Sequence, residues 1–282
     1  MDAAARIEAA IGRRPVRLAP LSGGCIAEIY RADFVDGERL VAKLAGAGGD
    51  LALEAYMLDY LRQNSALPVP EVIHGAADLL VMAFIETAGG LTAGAERHAA
   101  ELLAALHSVS APKFGHERDT LIGPLPQPNP ETPSWRDFFR DQRLLHMARM
   151  ALEAGRLPGA TMTRIETLAG RLDEWIEEPA APSLIHGDMW GGNVLTKDGR
   201  IAGFVDPAIY YADAEIELAF STLFSTFGEP FFLRYGEIRP IRPGFFEIRR
   251  ELYNLYPLLV HVRLFGGGYL ASVEATLAKL GC

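Results

Sequence analysis

Four polar side chains around residue 190 have the types and the spacing that phosphoryl transfer requires. The segment HGDMWGGN contains His186, Asp188 and Asn193, and a further aspartate, Asp206, ends the apolar run IAGFVD after a turn at Asp198-Gly199. Phosphoryl transfer needs a carboxylate that orients and deprotonates the attacking hydroxyl, and Mg²⁺ bound by hard oxygen ligands. The tripeptide HGD alone is weak evidence of catalysis, because it is common and because Asp-Gly or Gly-Asn pairs usually mark turns. The full ordered set predicts Asp188 as the catalytic base and Asn193 and Asp206 as magnesium ligands.

A lysine and a glutamate in the N-terminal part could orient the nucleotide. Lys43 ends the predicted strand LVAK, and Glu54 lies in the predicted helix that follows. In kinases a strand lysine binds the nucleotide phosphates and pairs with a glutamate of the next helix. A strand lysine alone is usually a solvated charge. The pair of residues in this order predicts a nucleotide-binding role for Lys43 and Glu54.

Two backbone segments are further candidates for nucleotide binding. Gly23 and Gly24 lie in a loop between predicted strands and could close over the phosphates through their N–H groups. Ala83, Phe84 and Ile85 precede a TAGG linker, where backbone groups could meet adenine. An ordinary hairpin turn and a buried strand are the alternatives, and the sequence leaves both open.

These residues require two lobes to bring them together. The pattern predicts an α+β, two-lobed fold in which residues 1–86 form a small β-rich lobe with one key helix. Within it, a helix fits residues 2–12, and strands fit 16–44 around an Asp-Gly turn. Residues 87–282 read as a larger, mainly helical lobe, with a proline-rich ordered loop at 111–133.

Composition narrows the possible partners. The 282 residues are 49% hydrophobic and 22% charged, which is typical of a folded globular protein. The formal net charge of −9 disfavours nucleic acid and anionic membranes as partners. Two cysteines cannot form a disulfide framework, and the N-terminus lacks the features of a secretory signal, so a cytoplasmic location is expected.

Longer motifs give a resemblance to a known family. HGDMWGGN is similar to HGD-L-W-x-GN of the fructosamine (ketosamine) kinases, relatives of the aminoglycoside phosphotransferases, with Met189 in place of leucine. DPAIYYADAEIELAF resembles the family's DPA-x-x-Y-x-x-x-E-x-ELA, and TLIGPLPQPNPETPSWRDFFRDQRL resembles its substrate-lobe insert. SGGCIAE and PGFFEIRRELYNLYPLLVHVRLFG also match, so the resemblance samples nearly the whole chain.

The resemblance implies an activity and residue roles. The family's reaction is transfer of the ATP γ-phosphate to the 3-hydroxyl of a ketosamine, whose phosphorylated product falls apart and frees the amine, a deglycation. Bacterial-type members are thought to prefer ribulosamines and erythrulosamines to fructosamines. The resemblance supports the roles assigned to Asp188 and to the magnesium ligands. It also places the adenine-binding hinge at Ala83 to Ile85, although relatives often have glutamate where this chain has Ala83.

Trp190 and Cys25 carry separate hypotheses. Trp190 could form a floor for the sugar or its amine by stacking or cation–π attraction, or it could pack in the core. Cys25 could be redox-sensitive, including a Cys25–Cys25 disulfide between two chains, although a lone cysteine is usually inert. Asp213 and Glu217 are expected to anchor the catalytic loop or its neighbours, and no role is assigned to His107.

Two alternative functions remain open from the sequence. An aminoglycoside, choline or homoserine kinase would use the same catalytic core, although the insert and the DPA motif argue against it. A pseudokinase would keep the fold as a binding module without turnover. The completeness of the proposed catalytic set argues against that reading, because degenerate members usually lose at least one such residue.

Overall fold

The computed structural model describes residues 2–21, 27–46 and 50–282. It contains a small antiparallel sheet and a larger, mainly helical part, which confirms the predicted α+β, two-lobed class. Gly23, Gly24 and Cys25 lie outside the described residues, so the hypotheses about the phosphate loop and the redox cysteine stay predictions. We propose that the lobes divide between residues 86 and 87, in the connection between the last strand of the sheet and the next helix.

The N-terminal sheet has five antiparallel strands in the order β1-β2-β3-β5-β4. Their bounds are β1 (Arg17–Pro20), β2 (Ala27–Asp33), β3 (Arg39–Ala45), β4 (Val72–Gly75) and β5 (Leu79–Ala83). The predicted Asp36-Gly37 turn joins β2 to β3, and Gly37 has a φ of +85°, a conformation that costs glycine little. The predicted hairpin is therefore confirmed.

A helix covers each face of this sheet. Helix α1 (Ala3–Ile11), predicted at 2–12, buries Ile7 against Ala42 and Val81 on one face. Helix α2 (Leu51–Asn64), which Asp50 caps, packs Leu58 on the other face. Because successive strand side chains point to opposite faces, the odd-numbered positions of β3 face α2. This alternation directs Lys43 towards the helix that carries Glu54.

Helix α2 belongs to two hydrophobic cores. Leu51, Ala55 and Leu58 pack against the sheet, whereas Met57 and Leu61 belong to the large core of the C-terminal part. In the structure the apolar surface of α2 is divided between the two lobes, so the helix is fixed to both.

The C-terminal part is a bundle of helices with three short strand pairs. Its helices are α3 (Ala93–Leu106), α4 (Trp135–Phe138), α5 (His146–Glu153), α6 (Gly159–Ala169), α7 (Glu215–Leu223), α8 (Glu229–Ile238), α9 (Arg250–Phe265) and α10 (Gly268–Lys279). The strands are β6 (Thr120–Ile122) with β7 (Leu125–Gln127), β8 (Ser183–Ile185) with β11 (Tyr210–Ala212), and β9 (Val194–Lys197) with β10 (Arg200–Phe204). A π-helical segment, Phe139–Leu145, joins α4 to α5. In the described part of the chain, no helix is long and apolar enough to cross a membrane.

The proline-rich segment at 111–133 is ordered, as predicted, but it is more than a loop. It contains the β6–β7 hairpin and buries the polar side chains of Thr120, Gln127 and Asn129. The Gln127 amide donates to the Ala208 carbonyl at 3.1 Å and accepts from the Tyr256 hydroxyl at 2.6 Å. Short strands with few alternating residues give little periodic signal, which is why the sequence did not predict them.

Candidate active site

The predicted catalytic loop follows strand β8 and turns sharply at Gly187. Gly187 has a φ of +87°, and a Cβ at this position would lie 2.0 Å from the Ala208 carbonyl oxygen. The Ala208 amide also donates to the His186 carbonyl at 2.7 Å. Only glycine allows this close approach between the two backbones. The turn thereby places the catalytic loop against the segment that begins at Asp206.

Asp188 and Asn193 are hydrogen-bonded to each other inside this loop. The Asn193 Nδ2 donates to the Asp188 Oδ2 and to the Asp188 carbonyl, both at 2.9 Å. The same nitrogen lies 3.5 Å from the Asp206 carbonyl, and Asn193 is almost fully buried. Because the amide nitrogen makes these contacts, the amide oxygen of Asn193 stays available to bind a cation.

The environment of Asp188 makes its carboxylate a better proton acceptor. Burial raises the pKa of Asp188 to about 7, the hydrogen bond from Asn193 opposes this rise, and the carboxylates of Asp206 and Glu217 add to it. A general base works best when its pKa lies near the working pH. His186 is fully buried, and burial lowers its pKa, so its imidazole is neutral near pH 7. Its Nδ1 lies 3.4 Å from the Asp188 amide nitrogen, which agrees with a structural role.

Lys43 connects the N-terminal lobe to the end of β10. Its Nζ donates to the Glu54 Oε1 at 2.6 Å and also contacts the Asp206 Oδ1. Burial would lower the pKa of Lys43, but the carboxylates of Glu54 and Asp206 outweigh it and raise that pKa, so the ammonium stays charged. The three predicted residues, from β3, α2 and the segment after β10, thus meet in one ion cluster.

The oxygen donors around this cluster suit Mg²⁺. Asp206 has a φ of +56°, and its side chain is 39% exposed despite the contact with Lys43. In the described residues, no group of three or more His, Cys, Asp or Glu side chains is placed to bind a metal. One carboxylate and one amide oxygen match the way Mg²⁺ binds, through one or two protein ligands, waters and substrate phosphates.

The predicted hinge lies at the end of β5, next to the strand that leads to Asp206. The amides of Ala83 and Phe84 donate to the carbonyls of Glu71 and Arg39, at 2.8 and 3.4 Å. Of the three hinge amides, that of Ile85 has no backbone acceptor in the described part of the chain. The Ile85 side chain packs directly on Gly203: a Cβ added at Gly203 would lie 2.5 Å from the Ile85 Cδ1.

Trp190 lies beside the catalytic loop and is 43% exposed. Its ring covers Gly192, where a Cβ would lie 2.3 Å from the indole. Its free edge approaches Phe224, with ring centroids 6.5 Å apart, and Phe224 in turn contacts His261 at 5.0 Å. The indole therefore begins an exposed aromatic surface next to Asp188 and is not a core residue.

Sequence reasoning missed the role of His107. Its Nε2 lies 2.8 Å from the Glu217 Oε2, and its Nδ1 lies 2.7 Å from the Tyr235 hydroxyl. The other Glu217 oxygen, Oε1, accepts from the Gly187 amide at 2.7 Å. This buried network, Tyr235–His107–Glu217–Gly187, fixes the loop that carries Asp188. Glu217 was expected to be such an anchor, but only the fold brings His107 from α3 to it.

Asp213 anchors a different element. It contacts Arg242 and accepts from the Tyr253 hydroxyl at 2.9 Å, and the Trp135 indole donates to the same hydroxyl at 2.9 Å. Glu215 binds Arg249 through both carboxylate oxygens, at 2.6 and 3.0 Å. These contacts attach the start of α7 to α9 and to the insert. Trp135 is a fully buried structural residue.

The chain is similar to known proteins over nearly its whole length. The family model described as "Fructosamine kinase" matches residues 3–281. The "Probable ketoamine kinase" of Synechocystis is 36% identical over 272 residues, which cover 92% of this chain and 88% of that protein. The chloroplastic protein-ribulosamine 3-kinase of Arabidopsis thaliana is 32% identical over 278 residues, which cover 93% of this chain and 81% of that protein.

Solved structures show the same architecture. The crystal structure of a "putative fructosamine-3-kinase" from Thermobifida fusca is 32% identical, with a TM-score of 0.89 over 100% of this chain and 99% of that one. Aminoglycoside phosphotransferase APH(4)-Ia, solved with AMP-PNP and hygromycin B, has a TM-score of 0.70 at 17% identity and covers 99% of both chains. The second likeness shows the shared protein-kinase-like fold alone.

Proposed function

The chain belongs to the fructosamine kinase family, and on this premise we propose that it transfers the γ-phosphate of ATP to the 3-hydroxyl of ketosamines. Ribulosamines, erythrulosamines and fructosamines are the substrates proposed. The observation that carries the proposal is the meeting of two groups, which adjoin where the Asn193 Nδ2 lies 3.5 Å from the Asp206 carbonyl oxygen. One is the Asp188–Asn193 pair, and the other is the Lys43–Glu54–Asp206 ion cluster.

Each side chain has one task in this reaction. Lys43, held by Glu54, would bind the nucleotide phosphates, while Asn193 and Asp206 would hold Mg²⁺ through an amide and a carboxylate oxygen. When bound, the metal neutralises negative charge on the phosphates. The contact between Lys43 and Asp206 supports this assignment, because it places the ammonium proposed to bind phosphate beside the carboxylate proposed to bind the metal.

Asp188 acts on the acceptor. Its carboxylate accepts the proton of the sugar hydroxyl as the hydroxyl attacks the γ-phosphorus, and the raised pKa of Asp188 suits it to this task. The hydrogen bond from Asn193 holds the carboxylate in one orientation. The 3-phosphorylated ketosamine then breaks down and releases the amine, so that the reaction contributes to deglycation of amines and proteins.

Trp190 is the proposed substrate residue. Its exposed indole stands two residues after Asp188 and borders the aromatic surface that continues to Phe224. A ketosamine carries a secondary ammonium next to an apolar carbon chain. An aromatic face attracts such a cation and also packs against the chain. The indole would therefore orient the amine while the sugar hydroxyl faces Asp188.

The test is ADP release by the pure protein with Mg-ATP and a panel of acceptors. We expect turnover with a ribulosamine and weaker turnover with a fructosamine. The Asp188→Asn variant should turn over neither substrate. Turnover with kanamycin or choline alone would contradict the ketosamine assignment while keeping the kinase mechanism. ATP binding without turnover of any acceptor would favour the binding-module alternative.

A further inference from the structure

Helix α2 contacts the C-terminal part of the molecule through two tyrosines that follow Glu54. Tyr56 and Tyr60 are four residues apart and therefore lie on the same side of the helix, with ring centroids 5.9 Å apart. Neither side chain packs only within its own lobe. Tyr56 reaches the substrate-lobe insert, residues 111–145, and Tyr60 reaches both the insert and the segment that follows Asp206.

The Tyr56 hydroxyl is hydrogen-bonded to two neighbouring residues of the insert. It lies 2.6 Å from the Glu117 Oε1 and 2.8 Å from the His116 Nε2. A phenol has one proton, and a carboxylate can only accept, so the Tyr56 hydroxyl donates to Glu117. His116 must then donate its Nε2 proton to the Tyr56 oxygen. Burial lowers the pKa of His116, so near pH 7 the donor is the neutral tautomer with its proton on Nε2.

The Tyr60 hydroxyl makes the second contact. It lies 3.0 Å from the Tyr211 hydroxyl, and its ring packs edge-on against His116 with centroids 4.6 Å apart. Tyr211 and Gly115 exchange backbone hydrogen bonds of 2.8 and 2.9 Å, which places His116 beside Tyr211. Tyr211 is five residues after Asp206 and continues the same segment.

The four side chains Tyr56, Tyr60, His116 and Tyr211, here called the α2 clamp, join three segments that matter for the nucleotide. One segment is the helix of Glu54, another is the insert, and the last begins at Asp206. The Arg118 guanidinium covers the outer face of Tyr56 at 4.5 Å from the ring centroid. The buried Met57 and Leu61 reinforce the same junction with apolar contacts.

We propose that the α2 clamp is a positioning device that holds α2 where Glu54 reaches Lys43 and so keeps the nucleotide-binding ion pair together. The inference rests on the proposed function, because it assigns to these residues a regulation of the same nucleotide site. None of the four touches the reacting groups. They act through the position of one helix. Loss of the clamp is therefore expected to weaken nucleotide binding and to leave the affinity for the acceptor unchanged.

The experiment measures the Kd of Mg-ATP by calorimetry without any acceptor, in Tyr56→Phe, Tyr60→Phe and His116→Asn. His116→Gln is the matched control, because the longer amide can place an N–H near the position of Nε2, whereas asparagine is too short. We expect Tyr56→Phe and His116→Asn to weaken Mg-ATP binding about 5- to 10-fold, which corresponds to about 1 to 1.4 kcal/mol. His116→Gln is expected to stay within about twofold of the wild type.

A second arm separates positioning from a general loss of stability. The same clamp substitutions are made in a Glu54→Gln background, where the ion pair is already broken. If the clamp acts through Glu54, Tyr56→Phe should cause little further loss of affinity there, because the two effects are not additive. Fully additive losses, or unchanged ATP affinity in the single variants, would overturn the proposal. A wild-type protein that binds no ATP would instead overturn the proposed function, and the inference with it.

Discussion

The two halves of the candidate active site are held in different ways. The loop of Asp188 is fixed inside the C-terminal part by His107 and Glu217, which are 1% and 2% exposed. The Lys43–Glu54 pair is held across the boundary between lobes, and its third partner, Asp206, has a side chain that is 39% exposed. The acceptor side is thus built into one core, whereas the nucleotide side depends on contacts between separately folded elements.

This difference indicates where the protein tolerates change. A defect in the buried network should lower stability and kcat together, because the loop and the core share the same hydrogen bonds. A defect on the nucleotide side should lower ATP affinity and leave most of the unfolding free energy intact. The predictions below test that division.

The largest effect is expected for Asp188→Asn. The substitution keeps the size of the side chain and an oxygen that can accept from Asn193, but removes the proton acceptor. We expect kcat to fall by about 10²- to 10⁴-fold, the usual contribution of a general base, with the Kd of Mg-ATP within about threefold of the wild type. Steady-state kinetics with a ribulosamine and nucleotide calorimetry check both parts. Unchanged kcat would remove Asp188 from the role of base.

The next effect is expected for Glu217→Ala, on the acceptor side. The change leaves the Gly187 amide and the His107 Nε2 buried without a partner, which should lower the unfolding free energy by about 3 kcal/mol. Denaturant unfolding measures this loss. Glu217→Gln is the control, because its amide can still accept from Gly187, and it should lose less than half as much. Equal losses in the two variants would argue against the hydrogen bonds as the cause.

A smaller effect, on the nucleotide side, is expected for Glu54→Gln. Lys43 keeps Asp206 as a partner but loses the carboxylate that orients it, so the Kd of Mg-ATP should rise about tenfold, or about 1.4 kcal/mol. The change in Tm should be smaller than that of Glu217→Ala. Glu71→Gln, an exposed change of the same chemistry in the same lobe, serves as control. A large drop in Tm with unchanged ATP affinity would break the division between the two halves.

The sequence predicted local elements and their chemistry better than the contacts between them. The Asp36-Gly37 hairpin, the helix of Glu54 and the ordered set Asp188, Asn193 and Asp206 follow from spacing and turn chemistry. His107 gave no signal, because its partners Glu217 and Tyr235 are more than 100 residues away along the chain.

The α2 clamp was also beyond sequence reasoning. Tyr56 and Tyr60 show helical spacing, but a tyrosine at such a spacing is usually a half-buried surface residue. Its partner His116 lies in a segment without periodicity, and only the Gly115–Tyr211 backbone pairing brings that segment beside α2. Long-range pairing of irregular segments leaves no pattern in the sequence, so the structure was needed to find it.

The smallest effect concerns stability, and it has the opposite sign to the effect on activity. The pKa of Asp188 is about 7 in the folded protein against an ordinary value of 3.8, so between about pH 4 and 7 the folded state binds a proton that the unfolded state has lost. Stability therefore falls as pH rises through this window, and the cost is complete above pH 7.

Asp188→Asn carries no such cost. In EDTA, without metal or nucleotide, its unfolding free energy should exceed that of the wild type by about 1 kcal/mol more at pH 8 than at pH 4. This is only a part of the full shift, because the Asp188 side chain is partly exposed. Asp173→Asn, an exposed change of the same type, should show no such trend. A stability difference that is independent of pH, or that shrinks as pH rises, would mean that the catalytic carboxylate is not held at a cost to the fold.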